Sequence, residues 1–141
     1  MTEEEKAPEQ TVYKVSFERL SPAALSPRLN ANAVKTFDLF CAYSTTVPPK
    51  AHKVLLTDIR CLVPRGCYAV VEPRSCFAAQ CLLDPTPECI ERGCDRSISV
   101  TVFNLSTSPL TFRRGDLLCC VCVMRKVLNP GGKLSVFDMR R

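Results

Sequence analysis

Long apolar runs are missing from this chain. Nothing approaches the roughly 18 uninterrupted apolar residues that a membrane-spanning helix needs. The N-terminus is acidic where a secretory signal would be basic and then apolar. Membrane insertion and secretion are therefore disfavoured, and an intracellular site of action, cytoplasm or nucleus, is expected. Histidine is almost absent, His52 being the single copy. Cys89, Glu91 and Cys94 offer thiolate and carboxylate, but they lack a Cys-x-x-Cys spacing and a nearby histidine, so a zinc site is not expected there. The basic pairs Arg113-Arg114, Arg125-Lys126 and Arg140-Arg141 lack interleaved aromatic residues on which bases could stack, which disfavours nucleic acid as a partner despite a net charge of +5. Internal repeats, low-complexity blocks and convincing amphipathic helices of ten or more residues are also missing, which favours an all-β reading.

What remains is a chain of 141 residues with 46% apolar content, enough for one domain with a buried core. Ten cysteines without a secretory signal point to a reducing compartment and buried thiols rather than a disulfide scaffold. Residues 1–10, with Glu3, Glu4, Glu5 and Glu9, are too polar to bury surface against their ordering entropy and form a flexible acidic tail. Residues 11–128 form the body and residues 129–141 a C-terminal tail, read as a linker or contact strand.

The body alternates short apolar runs with proline, glycine and polar turns, which predicts an all-β domain. Strands are expected at Val12 to Phe17, Lys53 to Ile59, Cys61 to Val63, Tyr68 to Val71, Ile98 to Phe103 and Leu118 to Met124. Ile98, Val100 and Val102 then share a core face, with Ser97, Ser99 and Thr101 opposite. Ser21 to Pro27 reads as turn. Residues 76–82 contain no helix breaker and could form a short helix.

Four short segments carry groups with chemistry. Phe37-Asp38-Leu39-Phe40 holds a carboxylate suited to a hard magnesium ion, or equally to nearby backbone donors at a strand end. Pro73-Arg74-Ser75 joins a planar guanidinium fork to a hydroxyl, a pair suited to phosphate oxygens or simply to an exposed turn. The strand from Ser97 ends in Val102-Phe103-Asn104. Gly115-Asp116-Leu117-Leu118 leads from a turn into a strand.

In this order, over roughly residues 34 to 127, the segments resemble the trimeric dUTPase family. Thr57-Asp58-Ile59, Leu62-Val63-Pro64 and Gly66 also run parallel to it. The resemblance implies a jelly-roll β-barrel that associates as a homotrimer and binds dUTP with magnesium. It places Asp38 near the magnesium-triphosphate complex and Arg74 and Ser75 on the phosphates. Departures from the family pattern fall on the chemistry. Counting back from Asn104, Glu91 takes the position of the catalytic aspartate and Cys94 that of the tyrosine beneath the deoxyribose; a one-residue deletion would instead bring Arg96 into the motif. Cys76 replaces a phosphate-loop glycine, while Leu117 and Cys120 replace an arginine and a glutamine. The glycine-rich closing arm is reduced to Asn129-Pro130-Gly131-Gly132, although Phe137 could imitate its aromatic ring.

Within the family the pattern is most similar to dUTPase-derived early proteins of adenoviruses, through Phe40-Cys41, Val47-Pro48-Pro49 and Val54-Leu55-Leu56. The expected function is therefore that of a viral early protein that engages host proteins and is not an enzyme. The alternative is an active dUTP diphosphatase with Glu91 as base. An intermediate form would bind nucleotide through Arg74 and Ser75 without hydrolysis. The chain ends Asp138-Met139-Arg140-Arg141, which lacks the terminal apolar residue that a PDZ domain would capture.

Overall fold

A computed structural model describes residues 15–31, 35–73, 81–83, 88–128 and 134–138. These residues carry thirteen β-strands and no helix. In chain order the strands are β1 (Ser16–Arg19), β2 (Arg28–Ala31), β3 (Lys35–Phe40), β4 (Thr45–Val47), β5 (His52–Leu56), β6 (Ile59–Leu62) and β7 (Cys67–Pro73). They continue as β8 (Cys81–Leu83), β9 (Glu88–Ile90), β10 (Ser99–Asn104), β11 (Leu110–Phe112), β12 (Leu117–Leu128) and β13 (Leu134–Asp138).

β12 organises the molecule. Its run Leu-Leu-Cys-Cys-Val-Cys-Val is apolar on both faces, the pattern of a strand covered from both sides. It lies at the centre of a sheet ordered β2-β3-β12-β7-β9, with β13 also paired to it. Leu118, Cys119 and Val121 are completely buried, and Cys120 and Cys122 on the opposite face are nearly so. Cys119 and Cys122 thus have the Cys-x-x-Cys spacing yet point to opposite faces. Cys41, Cys61, Cys67, Cys89, Cys94, Cys119, Cys120 and Cys122 form no disulfide.

The remaining strands form the antiparallel groups β5-β10-β8, β4-β11 and β1-β6. One apolar core joins Leu39, Val71 and Val121 of the large sheet to Leu55, Val100 and Val102 of the three-stranded sheet. The inward alternation expected for Ile98, Val100 and Val102 is present, all three being buried. The all-β jelly-roll class is as expected, but among the described residues the ladders do not close into a continuous barrel. Strands β4 and β11 are only three residues long. Pro48 and Pro109 at their ends cannot donate to a ladder.

Two local expectations change. The single strand Lys53 to Ile59 is broken into β5 and β6 at Thr57-Asp58, where Asp58 has φ 52°. Thr57 directs both its backbone N–H and its hydroxyl to the carbonyl of Ile98, at 3.1 and 2.7 Å, and that long-range anchor turns the corner. Of the expected helix at 76–82, Cys81 and Leu82 belong to β8, which pairs with β10 through Leu82↔Phe103; residues 76–80 lie outside the described residues. In the C-terminal tail, β13 pairs with β12 in the register Arg125↔Phe137.

Candidate functional site

Asp38 lies on β3, opposite Cys120 of β12 on one side and Arg28 of β2 on the other. Its side chain is 3% exposed, whereas that of Arg28 is 66% exposed. Arg28 donates from Nη2 to Asp38 Oδ2 at 2.9 Å and lies 5.4 Å above the Phe40 ring. The guanidinium therefore neutralises the carboxylate from the outside while its planar face covers an aromatic ring. The other oxygen, Oδ1, is buried without a hydrogen-bond partner.

As arranged, these residues do not fit a magnesium ion. One carboxylate oxygen is held by Arg28, the other is shut from solvent, and among the described residues no three ligating side chains come together. A hydrated magnesium ion needs open carboxylate oxygens. Arg74 and Ser75 lie outside the described residues.

Glu91 follows β9 and opens a tight turn in which Cys94 N–H donates to the Glu91 carbonyl at 3.2 Å and Gly93 has φ 91°. The Glu91 carboxylate accepts from Lys126 Nζ of β12 at 2.5 Å, its own side chain being 64% exposed and that of Lys126 28%. Cys94, in the tyrosine position of the resemblance, is half-buried and offers a thiol in place of a ring. Beneath the turn, Tyr68 of β7 is buried, and burial raises its phenol above the ordinary range, with Cys89, Cys122 and Glu91 adding to the effect.

Strand register fixes how far apart these carboxylates are anchored. Asp38 is level with Cys120 and Glu91 is clamped to Lys126 on the same strand. Six residues of extended chain span about 20 Å. Within one copy of the chain the two groups cannot act on one phosphate.

The other landmarks serve the backbone. Asn104, 1% exposed, donates from Nδ2 to the carbonyls of Val47 at 3.0 Å and Ser108 at 2.8 Å. Its Oδ1 accepts from the Ser106 N–H at 3.0 Å and hydroxyl at 2.8 Å. All of its amide capacity is spent on pinning the loop after β10 and tying it to β4. Gly115, at φ 98°, donates its N–H to the Cys41 carbonyl at 2.8 Å, and Asp116 accepts from the Arg113 N–H at 2.8 Å. Leu117 and Cys120 continue from this turn into β12. Asp58 accepts hydrogen bonds from Ser21 at 2.7 Å and from the Tyr43 hydroxyl, closing the corner between β5 and β6.

Sequence reasoning passes over Arg28 and takes Lys126 only as half of a basic pair, not as a partner of Glu91. Both are basic residues on strands, and neither local spacing nor a turn signal marks them as partners of Asp38 and Glu91.

Residues 24–135 match the family model for dUTPase. The deoxyuridine 5'-triphosphate nucleotidohydrolase of Fowl adenovirus A serotype 1 is 33% identical over 117 residues, covering 83% of this chain and 65% of that protein. Its counterpart from Avian adenovirus 8 is 30% identical over 117 residues, with 83% and 71% covered. The mitochondrial enzyme of Homo sapiens is 33% identical over 103 residues, with 73% and 41% covered. This chain thus spans less than two thirds of the first and third of these relatives. Among solved structures, a mutant dUTPase of S. aureus phage phi11, described with a structural Mg(II) ion, superposes with a TM-score of 0.69 at 17% identity over 83% of this chain and 93% of that one. The dUTPase of Staphylococcus bacteriophage 80alpha with dUpNHpp gives 0.69 at 14% identity, with 83% and 85% covered. At such identities the likeness is one of fold.

Proposed function

The chain belongs to the dUTPase family, and from that premise we propose that it uses the family scaffold as a viral early regulatory protein that engages host proteins and does not hydrolyse dUTP. The observation that carries this reading is the state of Glu91. A base that activates water needs a free carboxylate oxygen directed at that water. Here an ammonium group occupies one Glu91 oxygen, and the side chain is one methylene longer than the aspartate it replaces. Positioned attack tolerates little displacement. Leu117 and Cys120 replace an arginine and a glutamine, so the fixed donors that phosphate chemistry depends on are lost at two positions.

Contacts with other proteins are supported by the outer face of β5 and β10. Val54, Leu56, Phe103 and the following Leu105 are all more than a third exposed there. The His52 and Phe103 rings lie 5.3 Å apart across the ladder. Contiguous exposed apolar surface of this kind marks interaction sites.

The second reading, an active dUTP diphosphatase, is favoured by the adenovirus relatives, which are themselves named as nucleotidohydrolases. On that reading Asp38 and Glu91 belong to one site only when contributed by different copies of the chain, because their anchors on β12 are about 20 Å apart. A homotrimer would supply those copies, and magnesium would arrive with the triphosphate once Arg28 had been displaced from Asp38.

Pyrophosphate release by the purified protein, with dUTP and magnesium in excess, tests the proposal. No release above buffer is expected from either the native chain or Glu91→Gln. Release that disappears in Glu91→Gln establishes the second reading.

A further inference from the structure

Four Ser-Pro or Thr-Pro pairs occur in the sequence, at Ser21-Pro22, Ser26-Pro27, Thr86-Pro87 and Ser108-Pro109. Thr86-Pro87 lies outside the described residues. The other three differ sharply in what holds the serine. Ser21 is half-buried, donates to Asp58 Oδ2 at 2.7 Å, and closes a turn in which the Ala24 N–H reaches its carbonyl at 3.2 Å. Ser108 is exposed, but its carbonyl accepts from Asn104 and Ser106, and its N–H donates to Ser106 Oγ. Ser26 is exposed, lies in the irregular stretch between Ala24 and β2, and has no hydrogen-bond partner among the described residues.

Protein kinases that select proline after the target residue hold the substrate segment extended in their active-site cleft. A residue before proline is already biased to extended backbone. Ser108 is also exposed at its hydroxyl but is tied through its backbone. Ser26 alone among the three combines that bias with exposure and with a backbone and hydroxyl both free of hydrogen bonds among the described residues. Its surroundings are basic: Arg19 donates to the Pro22 carbonyl at 3.1 Å and Arg114 to the Ala23 carbonyl at 2.9 Å, so two guanidinium groups already brace this loop. A third, Arg28, is two residues along the chain and is the cation that covers Asp38.

We propose that Ser26 is a phosphorylation site for a proline-directed protein kinase, and that the phosphate competes with buried Asp38 for the guanidinium of Arg28. In the transfer, Ser26 Oγ forms a bond to the γ-phosphorus of ATP and the bond from that phosphorus to the bridging oxygen breaks. ADP leaves with the electron pair, and the hydroxyl proton passes to the kinase's base. Two residues of extended chain span about 7 Å, within reach of an arginine side chain that is already mostly in solvent. A phosphate carries nearly two negative charges and three acceptor oxygens, against one charge and one engaged oxygen at Asp38. Withdrawal of Arg28 leaves Asp38, whose Oδ1 already lacks a partner, without its cation. The loop after β1 and the strand pair β2-β3 would thereby be loosened by one covalent event at the surface.

Treating the folded chain with a purified proline-directed kinase and MgATP, then mapping phosphate by mass spectrometry, tests the site. Ser26 is expected to label at least about tenfold faster than Ser21 or Ser108, which must first give up hydrogen bonds. Loss of that label in Ser26→Ala completes the assignment. An unlabelled Ser26 in the folded chain, or equal labelling at Ser21 or Ser108, overturns it. The competition is read from thermal unfolding. Phosphorylation should lower the midpoint by roughly 5 °C in the native chain. In Asp38→Asn the drop should be less than half as large, and in Arg28→Gln, whose exposed side chain can change without repacking, it should vanish. An equal drop in Arg28→Gln and the native chain overturns the competition.

Discussion

Asn104→Ala should damage this protein far more than any change at Glu91. The amide of Asn104 makes four hydrogen bonds from a position that is 1% exposed. Truncation leaves the carbonyl of Val47, a completely buried residue, without its donor. An unsatisfied buried group of this kind costs about 1 to 3 kcal/mol. The bonds to Ser106 and Ser108 lie nearer the surface, where water can replace the amide, so each contributes about 0.5 to 1 kcal/mol net. With two bonds to Ser106 and one to Ser108 the total is about 2.5 to 6 kcal/mol, a large part of the roughly 5 to 15 kcal/mol that holds a domain folded. For a chain of this length that corresponds to a fall of about 10 to 20 °C in the unfolding midpoint. Far-UV circular dichroism melts, run at one protomer concentration because self-association would shift the midpoint, provide the assay. Glu91→Gln in the same buffer should stay within about 1 kcal/mol, since it breaks one exposed ion pair. An Asn104→Ala midpoint within about 3 °C of the native one would refute the assignment of this landmark to the scaffold.

Two further outcomes follow from the buried thiols and the Gly115 turn. Burial raises the Cys61 thiol from 9.0 to about 11, so the folded state favours the neutral form. That contribution is intact below pH 9 and disappears as pH rises through 11, a loss of about 3 kcal/mol for a shift of this size. Cys41 and Cys67 shift in the same direction, also chiefly through burial. Urea midpoints measured between pH 8 and pH 11 should fall over that window, and less steeply in Cys61→Ala; parallel curves would contradict the assignment. Gly115→Ala meets nothing nearer than Leu25 Cδ1 at 3.8 Å, so its cost is the φ of 98° alone. About 1 to 2 kcal/mol is expected, read as a fall of a few degrees in the melt.

Local pattern carried the scaffold and missed the partners of the charged groups. The period-two burial of Ile98, Val100 and Val102 is written in five consecutive residues, and the Gly115-Asp116 turn in two. The corner at Thr57-Asp58 is not local: it depends on Ile98 and Ser97, about forty positions away in sequence. The same holds for Glu91, whose partner Lys126 is 35 residues distant, and for Asp38, whose partner Arg28 lies on the neighbouring strand. Strand residues carry no sequence signal that says which cation will stand opposite. Residues 81 and 82 show the limit from the other side, because helix-permissive composition gave way to pairing with β10. Asp38 and Glu91 could be found from the sequence, but what occupies them could not.

The decisive measurement is a single-turnover reaction with the assembled chain in excess over dUTP and with magnesium present, its nucleotide products separated by chromatography over several hours. With protein in excess, even a residual chemical step far slower than ordinary turnover would be visible. Survival of dUTP at the rate seen in buffer alone is the expected result, since an ion pair holds Glu91 and two positioning donors have been replaced. Accumulation of dUMP and pyrophosphate in equal amounts, faster than in buffer and abolished in Glu91→Gln, would contradict the claim that the scaffold has outlived its reaction.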